Sequence, residues 1–162
     1  MKTRIKGIIF EDLVNYKKPC LTIQMPFCNF KCDKECGEPV CQNSDLIKQL
    51  DIYVDINEIV EWYCNVNKID EAIVFQGLEP FDSWTDLRQW IYTFRQHTND
   101  DIIIYTGYNK NEIEWKLNEL KKFDNIIIKY GRFVPHKESH YDKILGIELA
   151  SPNQYAEVLN EN

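Results

Sequence analysis

Short apolar runs alternating with amphipathic helical patterns predict an α/β domain on a mostly parallel sheet. Ala72-Ile-Val-Phe75, Ile102-Ile-Ile-Tyr105 and Ile126-Ile-Ile-Lys129 are continuous apolar runs rich in β-branched residues, the signature of strands buried on both faces. Between them lie stretches whose apolar residues recur at helical spacing. Strand and helix alternate through short connections, which means βα units. At 162 residues the chain is read as one domain, 1–162.

Each element has its own signal. Leu21-Thr-Ile-Gln-Met25 is a short strand leading into a cysteine-rich loop. Asp55-Ile-Asn-Glu58 is a capping-box signature, followed by Ile56, Ile59, Val60, Tyr63 and Cys64 along one helix face. Ala72–Phe75 is the next strand, closed by Gly77. Ser83 is placed to cap a second helix whose inward face is Trp84, Leu87, Ile91 and Phe94. The strand 102–105 ends at Thr106-Gly107. Asn109 and Glu112 repeat the capping pattern ahead of Ile113, Leu117 and Leu120, and the strand 126–129 completes the series.

In a parallel βα sheet, ligands bind at the carboxyl edge of the strands. The cysteine loop, Gln76-Gly-Leu-Glu-Pro80, Thr106-Gly-Tyr108 and Tyr130-Gly-Arg132 all follow strands directly, so all four converge on that edge. Any one alone reads as an ordinary turn; four beside a thiol cluster point to a site. Composition narrows the function. The net charge of −7 argues against nucleic acid, whose phosphates need clustered Lys or Arg. Lys17-Lys18 and Lys121-Lys122 read as solvated faces. No apolar stretch reaches membrane-spanning length, and the start at Met1 carries no signal-peptide pattern, so a cytoplasmic protein is expected.

Cys28, Cys32, Cys36 and Cys41 fall in one segment with charged, Gly and Pro residues between them, a pattern foreign to a hydrophobic core. Thiolates are soft ligands, and one loop can turn several inward around a metal or cluster. Structural zinc sites usually join two separated pairs, so spacing favours iron–sulfur while leaving zinc open. His97, His136 and His140 lack ligand-like spacing to the loop and read as surface or structural. Cys20 and Cys64 read as small apolar core residues.

These segments together resemble the radical S-adenosylmethionine superfamily, and within it the activating proteins of anaerobic (class III) ribonucleotide reductase. Cys28-Asn-Phe-Lys-Cys32 matches the first half of the superfamily's CxxxCxxC motif. Gly77-Leu-Glu-Pro80 is similar to the Gly-Gly-Glu-Pro turn that holds the cofactor's methionine amine. Tyr105-Thr-Gly-Tyr108, Tyr130-Gly-Arg-Phe133 and Ser151-Pro-Asn-Gln154 resemble activator segments, in order along the chain. Two departures stand out. Leu78 replaces a glycine, and the third cysteine is late. Cys41-Gln-Asn43 resembles the end of the activators' loop, so 33–39 reads as an insertion with Cys41 as third ligand and Cys36 as its competitor.

The resemblance implies a minimal, open partial (βα)6 barrel of the radical S-adenosylmethionine type. It implies a [4Fe–4S] cluster on Cys28, Cys32 and Cys41 with one iron left open. S-adenosyl-L-methionine would be held by Val40 (beside the adenine), Gln42, Gly77, Leu78, Glu79, Thr106 and Gly107. No side-chain acid or base is required, so no catalytic residue is expected beyond the ligands. The implied substrate is a glycine Cα–H in the catalytic subunit of the anaerobic reductase, converted to a glycyl radical with electrons from flavodoxin or ferredoxin. Rival readings are an activator of a pyruvate formate-lyase type enzyme, a non-catalytic zinc or iron–sulfur binding module using all four loop thiols, and a member that keeps the cluster without cleaving the cofactor.

Overall fold

The computed structural model describes residues 1–160. In chain order the elements are β1 (Lys2–Ile5), β2 (Gly7–Asp12), β3 (Cys20–Met25), α1 (Lys31–Cys36), β4 (Ile52–Asp55), α2 (Ile56–Asn65) and β5 (Ala72–Gly77). They continue with α3 (Trp84–Arg95), β6 (Asp101–Tyr105), α4 (Glu114–Leu120), β7 (Ile126–Tyr130), β8 (His140–Asp142), β9 (Ile147–Leu149) and β10 (Tyr155–Val158). The main sheet has the order β10-β7-β6-β5-β3-β2. Its four central strands are parallel, and β2 and β10 flank them antiparallel. The expected mixed α/β architecture with a mostly parallel sheet is present.

Register explains how the sheet buries two faces. Leu21, Ile73, Ile102 and Ile126 stand opposite one another across the four central strands, and Thr22, Val74, Ile103 and Ile127 form the next row. Successive rows point to opposite faces. The first row packs with Ile56 and Val60 of α2, Trp90 and Phe94 of α3, and Leu117 and Leu120 of α4. The second packs under Tyr16, Leu145 and Leu149. The chain crosses the sheet steadily in one direction, and right-handed crossovers then place α2, α3 and α4 on the same face. The other face is left to the C-terminal hairpin β8–β9.

Several local expectations are corrected. Strands β1 and β4 pair as a separate antiparallel ribbon, and β2 flanks the main sheet, three strands that the alternation of apolar runs and helices does not predict. The cysteine segment contains helix α1, none of whose residues is buried. Ser83 makes no capping hydrogen bond; the Glu79 carboxylate instead caps the 3₁₀ turn Pro80–Ser83. Asn109 and Glu112 do form a capping box, on the 3₁₀ turn Lys110–Glu112 just before α4. Cys20 is buried as expected, but Cys64 is exposed, because it lies off the apolar stripe of α2. Among the described residues no helix is long and apolar enough to cross a membrane.

Candidate metal centre and ligand cavity

The four parallel strands end at a cavity of about 600 Å³, a size that suits a small-molecule ligand. Cys28, Cys32 and Cys41 line it, and Cys36 does not: that thiol is exposed at the end of α1. A second cavity of about 580 Å³ beside β10 holds Lys110 already paired with Glu157, and no thiol lines it. The chemistry therefore lies in the first.

The three lining thiols share one kind of environment. Burial pushes Cys28 up to about 11, and it also raises Cys32 and Cys41. A backbone N–H opposes this at each sulfur, from Phe30 at 3.2 Å on Cys28, from Phe133 on Cys32 and from Asn43 on Cys41. Such donors favour the thiolate that a metal needs. Cys41 is near enough to raise both other thiols by charge repulsion. Yet among the described residues no three His, Cys, Asp or Glu groups close on a point suited to one metal ion. Three soft thiols turned into one cavity are a donor set that an iron–sulfur cluster uses, each thiolate taking a different iron. On donor chemistry the residues present fit a three-thiolate [4Fe–4S] group.

Ties to other elements position the cysteine segment, since α1 has no buried face. Asp82 accepts the Asn29 N–H at 3.1 Å, and the Asn29 amide donates to the Tyr108 hydroxyl. Phe27 carbonyl takes the Glu79 N–H at 2.9 Å. On the far side, Arg132 pairs with Glu35 of α1 at 3.1 Å and holds Glu112 through two N–H groups at 2.8 and 2.9 Å. Asp33 accepts from the backbone N–H groups of Val40 and Cys41.

Glu79 joins two strand ends. Its buried carboxylate accepts from Phe81 N–H at 3.1 Å, Thr106 Oγ1 at 2.8 Å and Gly107 N–H at 2.9 Å. Burial raises it to about 7 against those bonds. Gly77 beside it has φ +92°, and a Cβ there would press on Gln24 and Leu46 at 3.0 Å, so the turn demands glycine for backbone reasons. Leu78 is buried and contributes to the cavity wall. Lys129 enters the same cavity from β7, with Nζ 3.4 Å from the Gly131 carbonyl and over the Tyr105 ring. Burial lowers it to about 8.

The tail hairpin forms the remaining wall through Ile147, Leu149 and Ala150. Ser151-Pro-Asn-Gln154 fastens it: Asn153 donates to the Arg132 carbonyl at 2.8 Å and Gln154 to that of Gly131 at 3.3 Å. Of the residues expected at the cofactor, Gln42, Gly77, Leu78, Glu79, Thr106 and Gly107 come together here. Val40 stays outside the lining, its N–H committed to Asp33. Sequence reasoning missed Lys129, although a lysine ending an isoleucine run is an anomaly that marks it. It missed Asp33 too.

A family model described as a 4Fe-4S single cluster domain matches residues 20–154, which take in β3, the cysteine segment, all the parallel strands and Ser151–Gln154. No curated protein and no solved structure matches the chain.

Proposed function

The chain belongs to the family of 4Fe-4S single cluster domains, and from that premise we propose that it is a radical S-adenosylmethionine activase for the anaerobic ribonucleoside-triphosphate reductase. The observation that carries the reading is the meeting of Cys28, Cys32 and Cys41 with Gly77–Glu79 and Thr106-Gly107 in one cavity. Three thiolates would hold the cluster and leave one iron to a small ligand. When bound, such a reduced cluster would supply the one electron for reductive cleavage of S-adenosylmethionine, the chemistry by which a glycine Cα–H would be converted to a glycyl radical.

The chain's own groups bind and exclude water. Backbone at Gly77 and Leu78 is offered to the methionine end, and the Lys129 ammonium offers positive charge to its carboxylate. Glu79 holds the Thr106-Gly107 turn in register with its own, keeping the cavity floor rigid. The partial-barrel likeness belongs to this proposal, supported by a sheet whose outer strands β2 and β10 are not paired with each other. Leu13 and Val14 are strongly exposed, and Val14 stands at the cavity, which suits an incoming peptide loop. A four-thiolate electron carrier would need Cys36 in the cavity, and an activator of a pyruvate formate-lyase type enzyme would leave the Ser151–Gln154 likeness unexplained.

The test is direct. Anaerobically reconstituted protein, reduced with dithionite and given S-adenosylmethionine and the reductase catalytic subunit, should yield a doublet glycyl radical signal in electron paramagnetic resonance. Methionine and 5′-deoxyadenosine should form in step. A loaded, reduced protein that never produces the radical sinks the activase reading.

A further inference from the structure

The stretch between Cys32 and Cys41 carries its own fastening. Helix α1 ends where Gly37, in the left-handed region at φ +73°, donates its N–H to the Asp33 carbonyl at 2.9 Å. The Asp33 side chain then takes up the other end of the excursion. Its Oδ1 accepts from Val40 N–H at 2.7 Å and from Cys41 N–H at 2.8 Å. One residue thus closes the segment Lys34–Val40 on itself from both directions. Asp33 is adjacent to Cys32 and bonded to the backbone of Cys41, so it sets the distance between two cavity thiols that the sequence separates.

We propose that Asp33 is the positioning residue that delivers Cys41 to the metal centre, making the extended loop equivalent to a compact one. The inference rests on the cluster reading and deepens it. A carboxylate suits the task, because two N–H donors on one charged oxygen are stronger than neutral bonds and point both amides one way. Without it, two partly buried N–H groups lose their acceptor and the excursion becomes free to swing. Cys36, on the same excursion but directed to solvent, then becomes a competitor for iron.

Two measurements test this, one without any cluster. In apo protein, timed iodoacetamide labelling read by peptide mass spectrometry should show Cys41 in Asp33→Ala reacting on the order of tenfold faster than in Asp33→Asn, which also lacks the charge that raises this thiol but keeps an acceptor for the two N–H groups; equal rates in the two variants overturn the proposal. Cys28 and the exposed Cys64 should keep their wild-type rates; a general loosening would speed Cys28 too and overturn the proposal. In reconstituted protein, iron loss to a ferrous chelator should be about tenfold faster in Asp33→Ala, and Asp33→Asn, whose amide oxygen still accepts, should recover most of the difference. Asp33→Ala with wild-type Cys41 labelling and wild-type iron retention overturns the proposal while leaving the cluster intact. Wild-type protein that takes up no iron, yet shows the labelling difference, overturns the cluster reading and leaves the clamp standing.

Discussion

Cys36 and Cys41 are the same group at two points of one short excursion, and their surroundings separate them. Cys41 lines the cavity, receives a backbone N–H and repels the other two thiols; Cys36 faces water. Cys28→Ala, Cys32→Ala and Cys41→Ala should each abolish assembly, measured as iron and sulfide per chain after anaerobic reconstitution. Cys36→Ala should retain the full complement, and the reverse pattern for Cys36 and Cys41 would establish the shorter spacing. Glu79 allows a pH prediction. Its carboxyl is raised by burial from an ordinary 4.5 to about 7, so between those values the folded chain holds a proton that the unfolded chain has released. The stability this contributes is complete below about 4.5 and is lost as pH rises through about 7. The melting temperature of the apo protein should therefore fall from pH 5 to pH 8, and Glu79→Gln should flatten that slope. A wild-type profile no steeper than the variant's would remove Glu79 as the cause.

Helix α1 shows what an element without a core face depends on. None of its residues is buried, so its place comes from Arg132, just after β7, which pairs with its Glu35, and from Asp82 and Tyr108 in the loops after β5 and β6, which hold Asn29 just ahead of it. Arg132 is buried and holds Glu112 through two N–H groups; Glu112 is held down at about 2 chiefly by that pair. Arg132→Ala should cost about 2–3 kcal/mol in urea unfolding, less than a fully buried pair because Glu112 keeps part of its side chain in water. Limited proteolysis should find new cleavage in the α1 segment; a variant as resistant as wild type would show that the tie is dispensable. The same dependence explains what the sequence revealed. Strands β5, β6 and β7 were legible because their β-branched runs are local signals of burial. Strands β1 and β4 were not, since Lys2 meets Asp55 only through the tertiary fold. The cysteines and glycines of the site were legible by type. Asp33 was silent because its partners lie seven and eight residues away, and Ser83 misled because Glu79, already buried beside the turn, took over the capping.

At the scale of the whole molecule, the core does not pass through the cysteine segment. Rows such as Leu21–Ile73–Ile102–Ile126 pack against α2, α3 and α4 on one face, and Val74, Ile103 and Ile127 pack under the tail hairpin on the other. The strand ends that border the cavity are set by this core, and Glu79 and Gln154 lock the turns that follow them. The metal centre is thus assembled on a finished scaffold, unlike a zinc finger, whose binding energy is its folding energy. Apo protein should keep its far-UV circular dichroism and melt cooperatively. Cluster loading should act as ligand binding to the native state alone. At this chain length each kcal/mol moves the melting temperature by about 2–4 °C, so tight loading should raise it by about 10 °C. The rise should vanish in Cys41→Ala and persist in Cys36→Ala, as scanning calorimetry under anaerobic conditions would show. An apo chain that melts without cooperativity, and folds only when iron and sulfide are supplied, would mean that the cluster organises the sheet and that the core described here is insufficient by itself.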